Sequence, residues 1–150
     1  MRWELHRVTI VGGGMMGRSL ATKVAQEGIN VYLKEVSAEA VEKAQRELER
    51  SLDHSIERFA LTGSEKKAIL SRITWVTHFD CATDSDLALE AVQEDFGLKR
   101  QILRELDRRM PPEHPIVLTT STLSITELAA QNNSPEPVSY THLRAHETRR

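Results

Sequence analysis

The chain has 150 residues, 39% of them hydrophobic and 28% charged, with a formal net charge of −2. That length suits one well-buried domain, and the near-neutral charge excludes the broad basic surface that nucleic acid or an anionic membrane requires. Cys81 is the single cysteine, which excludes an intrachain disulfide or a cysteine metal cluster and points to a reducing cytoplasm, and no run of about 18 apolar residues is present to span a bilayer.

In chain order, residues 7–12 form a β-branched run that predicts a first strand. Residues 14–27 predict a helix with Met16, Leu20 and Val24 on one face and Gly17, Ala21 and Ala25 on another, ended by Gly28. Residues 30–35 predict a second strand that closes on Glu35. Ser37 is the expected N-cap of a long helix reaching about residue 60, with Val41, Ala44, Leu48, Leu52 and Ile56 as its apolar stripe. Thr62-Gly63-Ser64 stops that helix and caps another over residues 65–71, giving a helical hairpin inserted in the sheet topology.

A third strand is predicted at residues 73–77, a polar loop at 78–86 and a fourth strand at 87–92. Residues 96–110 predict a helix with Leu98, Ile102, Leu103 and Leu106 inward, halted by Pro111-Pro112. A fifth strand is expected at residues 115–120, and the capping-box pattern Ser124-Ile-Thr-Glu127 opens a short helix to about residue 131. Strands this apolar, alternating with helices, imply an α/β fold: a doubly wound (Rossmann-type) parallel sheet with helices on both faces.

The first strand runs into Gly12-x-Gly14-x-x-Gly17, and Glu35 stands 18 positions beyond the last glycine. Each part has a task in holding a dinucleotide. Gly12 permits the tight turn off the strand, Gly14 lets a pyrophosphate approach the backbone, and Gly17 lets the following helix pack against the strand. The amides and positive dipole end of that helix then face the phosphates. A glycine-rich turn alone is weak evidence; strand, glycines, helix and acid at this spacing together are strong.

From residue 131 the periodicity fails. Residues 131–137 are turn-rich and 138–150 lack a core pattern, so the domain is expected to span residues 1–130 and be followed by an irregular tail. The only possible source of a sixth strand is residues 138–143. The tail also resembles in-frame translation of a sequencing-adapter read-through, which predicts a chain cut short with a foreign end. His142 and His146 have the i,i+4 spacing of metal ligands but no third ligand, so no metal is expected.

Taken together, Val-Gly-Gly-Gly-Met-Met-Gly (11–17), Val-Tyr-Leu-Lys-Glu (31–35), Asp-Leu-Ala-Leu-Glu-Ala-Val-Gln-Glu-Asp (86–95) with Lys99, and Thr-Thr-Ser-Thr-Leu-Ser-Ile-Thr-Glu-Leu-Ala (119–129) resemble the N-terminal, NAD-binding domain of the 3-hydroxyacyl-CoA dehydrogenases. The resemblance covers about residues 7–130, and the family shares the helical hairpin between strands two and three. It implies NAD as cofactor, with Gly12, Gly13, Gly14, Met15, Met16 and Gly17 at the pyrophosphate and Glu35, where the family usually has Asp, on the adenosine ribose. It further implies Glu94 and Lys99 near the nicotinamide half and Ser121 between cofactor and acyl substrate. Ser51 and Arg58 fall where the family's hairpin touches coenzyme A.

The implied chemistry is oxidation of a 3-hydroxyacyl-CoA to the 3-ketoacyl-CoA, with a histidine taking the hydroxyl proton as hydride moves to NAD. Counted from Ser121, that histidine is His142, although Leu143-Arg144-Ala145 follows it where the family has a Phe-Asn-Pro-like stretch. The family's orienting glutamate and its helical domain, which makes the homodimer, would lie beyond Arg150, so this chain is expected to bind NAD but be catalytically incomplete. The alternatives are a related NAD-dependent dehydrogenase of hydroxy acids or sugar acids, and a non-catalytic NAD-binding module.

Overall fold

The computed structural model describes residues 4–120 and the strand Val138–His142. Six strands run parallel in the order β3-β2-β1-β4-β5-β6: β1 (Arg7–Val11), β2 (Asn30–Lys34), β3 (Ile73–Val76), β4 (Leu87–Glu90), β5 (Ile116–Thr120) and β6 (Val138–His142). The chain winds outward from β1 in one direction through β2 and β3, then returns to β4 and winds the other way. The switch point therefore lies between β1 and β4, where a doubly wound sheet opens a crevice at its carboxyl ends. Val11 pairs with Lys34 on one side and Glu90 on the other, which brings the ends of the three central strands together.

Alternation along the strands divides the core in two. Val8, Ile10, Val31, Leu33 and Ile73 face α1 (Met15–Gln26), α2 (Ala38–Glu57) and α3 (Gly63–Arg72), with Leu48, Leu52 and Ile69 packed on them. Val11, Ala88, Ile116 and Leu118 face α4 (Phe96–Arg109), through Ile102, Leu103 and Leu106. Helices thus cover both faces, and α2 and α3 form the hairpin expected between the second and third strands. Ser37, Thr62 and Asp95 cap α2, α3 and α4 through side-chain oxygens, and Thr62 with Glu65 completes a capping box.

Two expectations need correction, and two placements go beyond what the sequence specified. Gly17, Ala21 and Ala25 form the buried face of α1, while Met16 is 44% exposed, because small residues bring a helix closest to a sheet. A 3-10 helix, Asp80–Asp84, stands in the expected polar loop; buried Ala82 anchors it. Lys99, expected near the nicotinamide half of a cofactor, lies buried among the apolar residues of α4. Residues 131–150 are not irregular throughout, since Val138–His142 pairs with β5 over five residues, satisfying backbone groups that the β5 edge would otherwise leave open. The short helix expected at 124–131 and Ser121 lie outside the described residues.

Candidate cofactor site

The glycine turn is built by close approach. Gly12 has φ +110°, and a Cβ there would meet the Ala91 carbonyl oxygen at 2.7 Å. A Cβ on Gly17 would stand 1.7 Å from the Gly12 carbonyl oxygen, so both positions exclude a side chain. Around Gly14 nothing lies within 4 Å of the Cβ position, which leaves the middle glycine open towards the space where a ligand would lie. Gly14 is also the N-cap of α1, which has neither a side-chain cap nor an acidic residue in its first turn. Its amide-rich positive end is therefore dressed for an anion supplied from outside the chain, unlike the capped starts of α2, α3 and α4.

Glu35 follows β2, and its carboxylate accepts hydrogen bonds from the Gly13 and Val36 amides, the latter at 3.1 Å. This places the acid at the glycine turn. Arg18 holds the turn from the helix side, donating to the Gly13 carbonyl oxygen at 3.0 Å and pairing with Glu47 of α2 at 2.6 Å. Met15 and Met16 are both exposed beside the turn.

Next to the turn lies a cavity of about 220 Å³, lined by Val11, Gly12, Lys34, Glu35, Val36, Phe79, Val92, Leu98, Gln101 and Ile102. Its walls are mainly apolar with a few polar groups among them, the mixture that a flat heteroaromatic base and its sugar require. Lys34 lies on the opposite face of the strand from the Leu33 side chain, with its ammonium 4.3 Å over the Phe79 ring. Burial pulls its pKa down, and the neighbouring Glu35, Cys81 and Glu105 partly oppose that shift. A larger hollow of about 470 Å³ beside α2, with Gln45, Leu48, Leu70 and Trp75 in its lining, contains neither the glycine turn nor Glu35.

At the carboxyl end of β4, Glu90 and Lys99 make a buried ion pair. Lys99 Nζ donates to Glu90 Oε1 at 2.7 Å, to Oε2 at 2.9 Å and to the Thr119 carbonyl oxygen, and it stands 4.0 Å from Glu94. Glu90 also accepts the Val92 amide at 2.6 Å, and Thr119 Oγ1 donates to the Glu90 carbonyl oxygen at 2.7 Å. Burial pushes the Glu90 carboxyl above its ordinary range, against the pull of Lys99. Glu90, Phe79 and Gln101 are not among the residues the sequence points to. A glutamate ending an apolar strand, and a lysine spaced i, i+3, i+4 and i+7 with Ile102, Leu103 and Leu106, were the available signals for the pair.

Of the other expected site residues, Glu94 stands beyond β4, exposed near the end of the loop into α4. Ser51 and Arg58 are exposed on the hairpin, and neither lines the cavity. The backbone register opposes His142 to Thr120, at the same carboxyl edge as Val11, Lys34 and Glu90. Among the described residues no group of three or more His, Cys, Asp or Glu could hold a metal ion. No helix among them is long and apolar enough to cross a membrane.

Residues 7–145 match the family model of the 3-hydroxyacyl-CoA dehydrogenase NAD-binding domain. The chain is 32% identical over 135 residues to a probable 3-hydroxybutyryl-CoA dehydrogenase of Bacillus subtilis, covering 90% of this chain and 47% of that protein. It is 31% identical over 142 residues to a 3-hydroxyadipyl-CoA dehydrogenase of Escherichia coli, covering 95% of this chain and 30% of that protein. The crystal structure of the (S)-3-hydroxybutyryl-CoA dehydrogenase of Ralstonia eutropha superimposes with a TM-score of 0.88 at 33% identity, over 94% of this chain and 50% of that one. The chain thus spans about half the length or less of these relatives. With an open glycine turn, an uncapped helix start, an acid after β2 and this match, the chain belongs to the 3-hydroxyacyl-CoA dehydrogenase family, as its NAD-binding domain.

Proposed function

We propose that this chain is the cofactor-holding part of an enzyme that oxidises 3-hydroxyacyl-CoA to 3-ketoacyl-CoA. One observation carries the reading: the Glu35 carboxylate is bonded to the Gly13 amide of an open glycine turn beside a base-sized cavity. The backbone of Gly12–Gly17 and the start of α1 hold the pyrophosphate, with Met15 and Met16 flanking it. Glu35 accepts the ribose hydroxyls, and Val36, Val92, Leu98 and Gln101 enclose the base. Such charge-assisted hydrogen bonds are worth about 1.5–3 kcal/mol each, and a carboxylate there repels a 2′-phosphate. Bound NAD supplies the hydride acceptor.

The substrate side rests on the family resemblance. Glu94 lies towards the nicotinamide half, Ser121 between cofactor and acyl group, and His142 accepts the substrate hydroxyl proton. Ser51 and Arg58 offer a hydroxyl and a cation to the coenzyme A moiety; both are accessible on the hairpin, which supports the assignment. The single cysteine supports a reducing cytoplasmic setting, and the family resemblance supports a homodimeric whole protein. Parallel titrations with NADH and NADPH test the reading. The expected outcome is saturable NADH binding at least about tenfold tighter than NADPH binding; equal affinities, or none, would contradict it.

A further inference from the structure

Lys34 is the last residue of β2, and the backbone fixes its place on both sides. It pairs with Val11 of β1 and Val76 of β3, and its carbonyl oxygen accepts the Gly12 amide at 2.9 Å. Alternation along the chain sends Glu35 to the glycine turn and Lys34 into the wall of the cofactor cavity, with Phe79, Leu98 and Ile102. There the residue is only 9% exposed. An ammonium carries three N–H donors, yet among the described residues none of them has a hydrogen-bond acceptor or an ion-pair partner. Its close contact is the face of the Phe79 ring, 4.3 Å from Nζ to the ring centre. The carboxylates of Glu35 and Glu105 act on it only through space; the first accepts the Gly13 and Val36 amides and the second pairs with Arg109. Burial pulls the Lys34 pKa down, as it does for a cation short of partners. Lys99 is the contrast, equally enclosed but bonded to Glu90 and to the Thr119 carbonyl oxygen.

A cation nine-tenths buried, with no acceptor for its donors and a base-sized cavity in front of it, is destabilising until a ligand completes it. An added phosphate is a poor candidate, because the Glu35 carboxylate next in the chain repels it and Val11, Val36, Val92 and Leu98 make the cavity apolar. A purine base suits both features: its faces pack on apolar walls and its ring nitrogens accept hydrogen bonds in its plane. We infer that Lys34, held by the Phe79 ring, donates a hydrogen bond to a ring nitrogen of the adenine base and is a specificity-determining residue for that end of the cofactor. The inference rests on the NAD reading above and deepens it, giving the base a polar contact besides its apolar enclosure. Lys34 then serves binding and not the fold, so an apolar side chain of similar length in its place leaves the protein at least as stable.

The test is fluorescence titration with NADH of the full chain, Lys34→Met and Phe79→Leu, followed by competition with adenosine, which carries the base and ribose but no phosphate. Thermal midpoints are measured alongside. Lys34→Met is expected to weaken NADH binding about tenfold and adenosine binding by the same factor to within about threefold, with the midpoint level or raised. Phe79→Leu keeps the lysine but removes the ring that orients it. It is expected to weaken both ligands several-fold, and it decides the matter even if Lys34→Met does not fold. Unchanged NADH affinity in either variant overturns the inference. So does a loss of NADH affinity in Lys34→Met that adenosine does not share, which makes Lys34 a distant attraction for the phosphates. A loss accompanied by a clearly lower midpoint in Lys34→Met overturns it too, by making Lys34 a residue of the core. An unmodified chain that binds no NADH overturns the cofactor reading itself, an outcome distinct from any of these.

Discussion

The Glu35 carboxylate and the Gly13 amide are joined by a hydrogen bond that ties the end of β2 to the turn leaving β1. Two strands adjacent in the sheet thereby deliver an acid and a row of backbone donors to one point on its carboxyl edge. A Cβ on Gly13 would stand 3.0 Å from Glu35 Oε1, so the contact leaves little room for a side chain at that position. The relationship separates what the turn needs in order to fold from what it needs in order to bind.

The glycines give the first prediction. Gly17→Ala places a methyl group on the Gly12 carbonyl and is expected to disrupt the turn, lowering the thermal midpoint and abolishing NADH binding together. Gly14→Ala meets nothing within 4 Å and has φ −74°, an ordinary value for any residue. It is expected to leave the midpoint nearly unchanged while weakening NADH binding about tenfold or more, because the added methyl occupies the approach to the backbone. Calorimetry and fluorescence titration on the two variants check this; equal effects of both on stability would count against the turn described.

A second prediction concerns the core under α4. Leu103 is fully buried and does not line the cofactor cavity. Leu103→Ala is expected to cost about 2–5 kcal/mol of stability by transfer and cavity terms. Urea unfolding measures that cost, and NADH affinity of the folded protein should stay within about twofold.

Asp86 gives a pH dependence. Its carboxylate accepts the His6 amide at 2.7 Å and the Arg7 amide at 2.9 Å, clasping the start of β1 to the segment before β4. Partial burial alone would raise its pKa, but those two amides, with the nearby His114 and His6, together reverse the effect and hold it below the ordinary aspartate value of 3.8. A carboxyl that binds its proton more weakly when folded stabilises the fold above the unfolded-state pKa. That contribution is lost as pH falls from about 3.8 through the lower folded-state value. Asp86→Asn should therefore cost about 1 kcal/mol at neutral pH, and the gap from the unmodified chain should close in strongly acidic solution. Urea midpoints from pH 7 down to pH 2 measure it; a gap that widens with acid would contradict the clasp.

Much of this was legible because the fold repeats one local rule. Apolar runs ended by glycine or an acid gave β1, β2 and β4, and Ser37 and Thr62 capped the helices where spacing placed them. The glycine turn and Glu35 were readable because their residue types answer directly to backbone geometry and charge. Lys99 was harder, since a lysine on an apolar stripe reads as solvent-facing until a buried carboxylate, nine residues away in another element, is seen to neutralise it. Lys34 likewise became part of the cavity only through Phe79, 45 positions downstream. Which face of α1 is buried is not settled by hydrophobicity, because the close approach of helix to sheet selects glycine and alanine over methionine and leucine. Strand β6 carried no periodic signal, and it is the open edge of β5 that supplies its partner.

The central claim is that Glu35 and the glycine turn hold the dinucleotide. Equilibrium titration with NADH of the unmodified chain and Glu35→Ala, under the same buffer and salt, tests it most directly. The account predicts saturable 1:1 binding to the unmodified chain and a loss of about tenfold to a hundredfold in Glu35→Ala, with the thermal midpoint moved by only a few degrees. Equal NADH affinity in the two proteins would contradict it.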